Sequence, residues 1–267
     1  EKVEVKQSAR ADQREMLYGW NDSTGLVALE PVTGKSGAEK FELFFRSEKG
    51  ITKVQEQFTP FILANINAVA DCPVEYHVEK LKGPGSLNTL AVFRSWKQCM
   101  EAKKWIQKNT GFSPSAPNAP YLFINDPVQQ HLALSGRTLF AGLRFEQLKR
   151  MQVDIECYTS AGYEFCNAER EGDRIIAIAM SDETGWVEVI SGAEYGEKEL
   201  LKKFVKTVTK RDPDVIEGYN IFGFDLPYIV QRAKMNGVKL SIGRDGSAPK
   251  ARPSRFTAAE RTVSYTR

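Results

Sequence analysis

The sequence predicts a mixed α/β (α+β) chain of two domains. A β-rich N-terminal domain of mixed structure takes residues 1–150, and an α/β domain takes residues 151–267. Two observations predict it. Early in the chain, apolar residues come in short runs separated by turn clusters, as antiparallel hairpins require. From Met151, three strand-like runs follow one another, and then helical and strand patterns alternate.

Taken in order, Leu17–Trp20 and Leu26–Glu30 flank the turn cluster Asn21–Gly25 and predict a hairpin. Phe41–Arg46 and Ile51–Gln55 predict a second, turned by Ser47, Glu48, Lys49 and Gly50. The run Leu90–Arg94 leads into a helix. Ser95 and Gln98 have the spacing of a capping box, and Trp96, Cys99, Met100 and Ile106 follow at helical spacing up to Gly111. Pro114, Pro117 and Pro120 make the next stretch a loop, and Tyr121–Ile124 is a short strand. Pro127–Leu134 and Phe145–Arg150 read as helices on either side of a turn at Ser135–Gly136.

The second half opens with a buried strand, Met151–Cys157. The β-branched run Arg174–Met180 and the alternating run Trp186–Ile190 follow. Glu197–Lys210 is a helix, because Leu201, Phe204, Val205 and Val208 fall on one face. Asp214–Tyr219 is the next strand and Leu226–Asn236 the next helix, stopped by Gly237. Three strands, helix, strand, helix is the opening of a ribonuclease H-like α/β fold.

Composition narrows the function classes. Hydrophobic residues are 42% and charged residues 27% of 267, an ordinary globular balance. A chain of this length buries roughly three-quarters of its unfolded surface and needs no disulfide or structural zinc. The net charge of +3 excludes a histone-like polycation but not a local basic groove. Cys72, Cys99, Cys157 and Cys166 form no C-x-x-C pair and suit a reducing cytoplasm. No apolar run approaches the ~20 residues of a membrane span, and Glu1–Lys6 is not a signal peptide. There is no phosphate-binding G-x-x-x-x-G-K-[ST] and no Ser-His-Asp order, and His77 and His131 are isolated.

The informative residues are acidic. Asp154 and Glu156 are two apart on one strand, so they share a face while Ile155 turns into the core. Two like charges at that distance repel unless a cation lies between them. Hard oxygen donors without nearby His or Cys favour magnesium or manganese. A D-x-E pair also arises by chance, which leaves a structural reading open. Asp225 opens the last helix, where an aspartate ordinarily caps free N–H groups. The same position can instead aim its carboxylate at the Asp154–Glu156 pair. Three carboxylates from this strand and the start of the helix would make a two-metal site for phosphodiester hydrolysis.

Lys149–Glu156 (KRMQVDIE) and Tyr219-Asn220-x-x-x-Phe224-Asp225 resemble the first two exonuclease motifs of family B DNA polymerases. Leu240–Ser247 resembles the turn after the second motif, and Pro127–Leu143 the segment that links the N-terminal domain to the exonuclease. The resemblance implies a 3′→5′ proofreading exonuclease with two divalent ions, Mg2+ or Mn2+. Asp154 would bridge them, Glu156 would hold the nucleophile-side ion, and Asp225 the other, partly through water. Asn220 and Phe224 would contact the 3′ end of the strand, Phe224 alternatively packing the domain. DNA, as a single-stranded 3′ end or primer-template, is the implied partner, for a monomer in a bacterial or archaeal cytoplasm.

After Asp225 the third motif of that family, Tyr-x-x-x-Asp, does not follow, and the aspartate motifs of the polymerase palm are absent. The chain also lacks an initiator Met. The expectation is therefore the N-terminal piece of a longer polymerase. Its exonuclease fold and metal site would be incomplete, its activity weak or nil, and the segment after Gly237 mobile or paired with a neighbouring molecule. Two alternatives stand beside it: a standalone exonuclease of the same superfold, and a non-catalytic DNA-binding module. Lys202, Lys203, Lys206 and Lys210 read as a solvated helix face. The tail cations Arg244, Lys250, Arg252, Arg255, Arg261 and Arg267 suit either a phosphate backbone or a free loop.

Overall fold

The computed structural model describes residues 21–82, 85–250, 253–258 and 261–266, the last two stretches as backbone only. The chain divides into two compact units, residues 1–143 and 144–267. Leu17–Trp20 lies outside the described residues, and so do Arg252 and Arg267 and the side chains of Arg255, Arg261 and Tyr265.

In the first unit, β1 (Leu26–Gly34), β2 (Gly37–Ser47) and β3 (Gly50–Gln57) form an antiparallel meander. β2 and β3 pair from Lys40↔Gln57 to Ser47↔Gly50, so the second hairpin forms around the anticipated turn. A second antiparallel sheet has the order β5-β6-β4-β7, from β4 (Phe61–Ala64), β5 (His77–Lys80), β6 (Thr89–Val92) and β7 (Tyr121–Leu122). A single helical turn, α1 (Ile66–Val69), follows β4. Sequence patterning missed β4, α1 and β5, because runs of four residues are too short to show a period.

Helix α2 (Trp96–Thr110) starts where Ser95 Oγ accepts the Gln98 N–H at 3.2 Å. The capping box is only half made: Gln98 Oε1 is buried without a hydrogen-bond partner. The helix stops at Gly111, whose φ of 71° is the left-handed conformation that glycine adopts without a Cβ clash. Cys99, Ala102 and Ile106 form its inner seam, against Ile62, Ala91, Phe93 and Tyr121. Helix α3 (Pro127–Ser135) is capped by Asp126, which accepts the Val128 N–H. It carries Gln130 into the core. That carboxamide accepts the Phe61 N–H and donates to the Phe61 and Ile124 carbonyls, so burial leaves it satisfied.

In the second unit, Phe145–Arg150 is not a helix. One 3-10 turn (Phe145–Gln147) gives way to extended backbone, and Arg150 starts β8 (Arg150–Cys157) opposite Val215. Sheet pairing outcompetes a helix of fewer than two turns here, and the Arg150 guanidinium stacks on Phe145 at 4.1 Å. Then come β9 (Ile175–Asp182), β10 (Val187–Ser191), α4 (Glu197–Arg211), β11 (Val215–Glu217) and α5 (Leu226–Met235). The sheet order is β10-β9-β8-β11, with β11 parallel to β8 and the other pairs antiparallel. This is the anticipated strand and helix order, with β8 inside the sheet. Met151, Val153 and Ile155 share a core with Leu200, Leu201, Phe204 and Val208 of α4 and Tyr228, Ile229 and Ala233 of α5.

From Gly237 to Ser247 the chain is tied into the second unit. Leu240 is buried, and Arg244 bonds Asp212 at 2.6 Å and Asp214 at 2.7 Å. The backbone then forms a hairpin of β12 (Pro253–Ala258) and β13 (Arg261–Thr266). Arg244 is thus committed to the fold rather than to a phosphate. Asp245 accepts the Ser247 N–H and is the turn former that its glycine-rich surroundings imply.

One polar knot ties the second unit together. Arg232 bonds Glu197 twice, at 2.7 and 2.6 Å, and also reaches the Arg170 carbonyl. Glu197 accepts further from the Ile175 N–H and Asn236. Burial alone would raise the Glu197 pKa, but these donors, Arg232 foremost, hold it below its ordinary value. Its contribution is therefore full above about pH 4.5 and is lost as the pH falls through the lowered folded value. We expect Glu197→Ala to cost about 3–5 kcal/mol by leaving a buried guanidinium unpaired. Urea unfolding at pH 7 checks this, and a loss under 1 kcal/mol would contradict it.

Candidate functional site

Strand alternation on β8 buries Val153 and Ile155 and exposes Asp154 and Glu156 on the opposite face. Neither carboxylate makes a hydrogen bond or ion pair among the described residues. Register places Ala179 and then Val189 beside Asp154, and Ala177 and then Ser191 beside Glu156. The floor next to the pair is therefore short-chained and open. Sequence reasoning missed these floor residues, because only cross-strand register reveals them.

The other edge of β8 is completed in an unusual way. β11 pairs only with Arg150–Gln152. Gly218 then passes so close that a Cβ there would lie 2.6 Å from the Val153 carbonyl oxygen. Past it, Ile221–Asp225 winds as a π-helical turn, with the Asn220 carbonyl accepting the Gly223 and Phe224 N–H groups. The wide turn carries Asp225 inward. It is 3% exposed, and its Oδ1 accepts the Ile155 N–H at 3.3 Å. Asp225 is therefore not a helix N-cap. Its φ and ψ are helical and it caps nothing with its side chain. It replaces the strand partner that β8 lacks beyond Gln152.

This bond sets a third carboxylate against the peptide that joins Asp154 to Ile155. Burial raises the Asp225 pKa above its ordinary value. The Ile155 N–H bond works against that rise, and the charge of Asp154 adds to it. Among the described residues, however, no three His, Cys, Asp or Glu groups are gathered closely enough to hold a metal ion. The three carboxylates converge on one stretch of backbone without closing into a cluster.

Asn220 is exposed, and its side chain folds over Gly223, where a Cβ would lie 2.4 Å from Oδ1. Phe224 is half-buried with its ring 5.3 Å from that of Tyr228, so it packs the domain. Tyr219 and Phe222 beside them are exposed. Cys157 follows Glu156, but burial pushes its thiol up to about 12, which removes it as a nucleophile near neutrality. His131 bonds Glu56 at 3.2 Å and stacks on Phe41, and His77 lies on the exposed strand β5.

Two outcomes follow. Because the folded pKa of Asp225 is raised, the folded state holds its proton to higher pH than the unfolded chain does. Stability contributed by this group falls as the pH rises from about the ordinary 3.8 through the raised value. Asp225→Asn keeps an oxygen for the Ile155 N–H and removes the charge. We expect its Tm at pH 7 to equal or exceed that of the parent chain and to vary less between pH 4 and 7, as thermal scans across that range will show. Gly218→Ala, by contrast, drives a methyl against backbone. A loss of about 1–3 kcal/mol in urea unfolding is expected, and a neutral result would contradict the close approach.

Residues 140–266 match the family model for the exonuclease domain of DNA polymerase family B. A DNA polymerase of Pyrococcus glycovorans is 42% identical over 113 residues, which are 39% of this chain and 14% of that protein. One from Thermococcus litoralis is 38% identical over 123 residues, 42% of this chain and 7% of that protein. The chain thus spans a small part of the relatives it matches. The solved structure of the family B DNA polymerase from the archaeon Pyrobaculum calidifontis superposes with a TM-score of 0.62 at 20% identity. That match covers 89% of this chain and 36% of the other, and it shows a shared fold.

Proposed function

We propose, for a chain whose residues 140–266 match the exonuclease-domain model of DNA polymerase family B, that Asp154, Glu156 and Asp225 serve 3′→5′ hydrolysis of DNA. The observation that carries this reading is the Asp225 carboxylate seated on the N–H of Ile155, the residue between Asp154 and Glu156 in the strand. We read the two units as an N-terminal domain and part of an exonuclease domain. The partner is a single-stranded 3′ end presented by a primer-template, and the chain acts as a monomer in the cytoplasm.

The donor chemistry fits a hard divalent cation. All three groups are carboxylates, two without partners among the described residues and one held where its charge is disfavoured. Mg2+ or Mn2+ bound there would polarise a phosphoryl oxygen and lower the pKa of a bound water. Asp154 and Glu156, projecting from an internal strand, would hold the cations. Asp225 is oriented by its backbone bond and supplies the third carboxylate. The short side chains of Ala177 and Ala179 leave room for a sugar and phosphate over the sheet. Asn220, at the rim, positions the terminal nucleotide, and Phe224 supports that rim from within. No Tyr-x-x-x-Asp follows in this sequence, so a fourth ligand and a water-orienting tyrosine are not supplied by this chain.

The test is release of labelled nucleotide from the 3′ end of a single-stranded oligonucleotide in Mn2+. We expect slow, metal-dependent excision that falls at least tenfold in Asp154→Ala, and an Mn2+-induced rise in Tm that this variant loses. Equal excision by both chains would overturn the assignment. The lack of a closed cluster favours one second reading, a DNA-binding module without catalysis. In that case Mn2+ changes neither Tm nor excision, while DNA binding persists without metal.

A further inference from the structure

The face of β8 opposite Asp154 is covered by α4, and the outer side of α4 is strongly basic. Between α4 and β10 runs a groove of about 480 Å3 lined by Lys149, Lys203, Lys206, Lys210, Arg211 and Glu188, with Trp186 in its wall. Five cations thus face one carboxylate. Arg211 is already bonded to Asp182 at 2.6 Å and covers the Trp186 ring at 3.7 Å. Lys203 lies over the Tyr195 ring at 4.2 Å. The side chains of Lys149, Lys206 and Lys210 make no hydrogen bond, ion pair or ring contact among the described residues. Lys202, which the sequence grouped with these lysines, pairs with Glu199 and does not line the groove.

We propose that this groove binds the phosphate backbone of duplex DNA, as a contact surface separate from the carboxylate face. Lys203, Lys206 and Lys210 follow one line of α4. At 1.5 Å per residue they span roughly 10 Å, the rise of about three phosphates along one duplex strand. Cations in a row track a polyanion, whereas a single phosphate needs donors that converge on one point. Arg211 occupies a face of the only aromatic side chain in the groove wall, so no open platform invites a splayed base. That favours backbone contact over single-strand stacking. The inference goes beyond the hydrolytic reading and does not depend on it.

The experiment is fluorescence anisotropy of a labelled 20-base-pair duplex with the full chain, without divalent metal, over a range of salt. Two triple variants carry the same charge change. Lys203→Glu with Lys206→Glu and Lys210→Glu alters the groove. Lys97→Glu with Lys104→Glu and Lys108→Glu alters exposed positions on α2 of the other unit. We expect the groove triple to weaken binding at least tenfold. It should also lower the slope of log K against log salt by about 2–3. The α2 triple should weaken binding less than threefold. Circular dichroism verifies folding, and the corresponding Gln triple, gentler on the helix, should shift affinity in the same direction. Equal losses in both triples, or none, would overturn the proposal. So would displacement of the duplex by inorganic phosphate at equal phosphate concentration, or tighter groove-dependent binding of a single strand. Duplex binding is read without metal and the hydrolytic reading by Mn2+-dependent excision, so failure of the one and failure of the other are separable.

Discussion

The carboxylate site of the second unit turns on a single backbone donor, the N–H of Ile155. β8 lies inside the sheet, but its neighbour β11 is only three residues long. Beyond Gln152 the strand would present an unpaired buried N–H, at a cost comparable to a lost hydrogen bond. Asp225 fills that position from 70 residues away. A carboxylate does the work of a strand, and it stands against the peptide that follows Asp154. Accumulated negative charge is thus a consequence of how the sheet is completed. The cost is visible in the raised Asp225 pKa, which burial and Asp154 produce together.

The turn that delivers Asp225 has its own requirements. Gly218 must lack a side chain to clear the Val153 carbonyl, and the π-helical turn supplies the extra residue that swings Asp225 inward. π-turns are rare and often mark functional positions. Distant from this turn, the Glu197–Arg232 knot joins the start of α4 to the end of α5 and to the connection before β9. Both elements that flank β8 are therefore held by polar bonds as well as by the apolar core. A site that gathers like charges needs such a frame, because repulsion among its carboxylates would otherwise be relieved by movement of the backbone.

The two faces of the central sheet carry opposite electrostatic character. One presents Asp154 and Glu156 over a floor of small residues. The other is covered by α4, whose outer lysines form a basic groove. Nearly balanced totals of 37 basic and 34 acidic residues conceal this separation, because composition carries no information about position. The proposed activity on a polyanion has use for both: cations to attract and hold the chain, and carboxylates that would hold a metal able to activate the attacking water.

Local order was legible in the sequence wherever a period ran long enough. The alternation of Met151–Cys157 placed Asp154 and Glu156 on one face, and the helical spacing of Leu201, Phe204 and Val208 found α4. Ser95 and Gly111 bounded α2 because capping is a local interaction. Local reasoning stopped at contacts between distant segments. It took Asp225 for a helix cap or a ligand, and could not show that its carboxylate accepts the Ile155 N–H. It took Phe145–Arg150 for a helix, whereas pairing with β11 claims Arg150 for the sheet. It left the lysines of α4 as a solvated face, whereas the neighbouring strand turns three of them into the wall of a groove. The sequence by itself determined the elements and the chemistry of the side chains, since both follow from spacing and residue type. Only the tertiary structure decided which backbone donor each carboxylate meets and which cations share a cleft, since those depend on register and on packing between residues far apart in the chain.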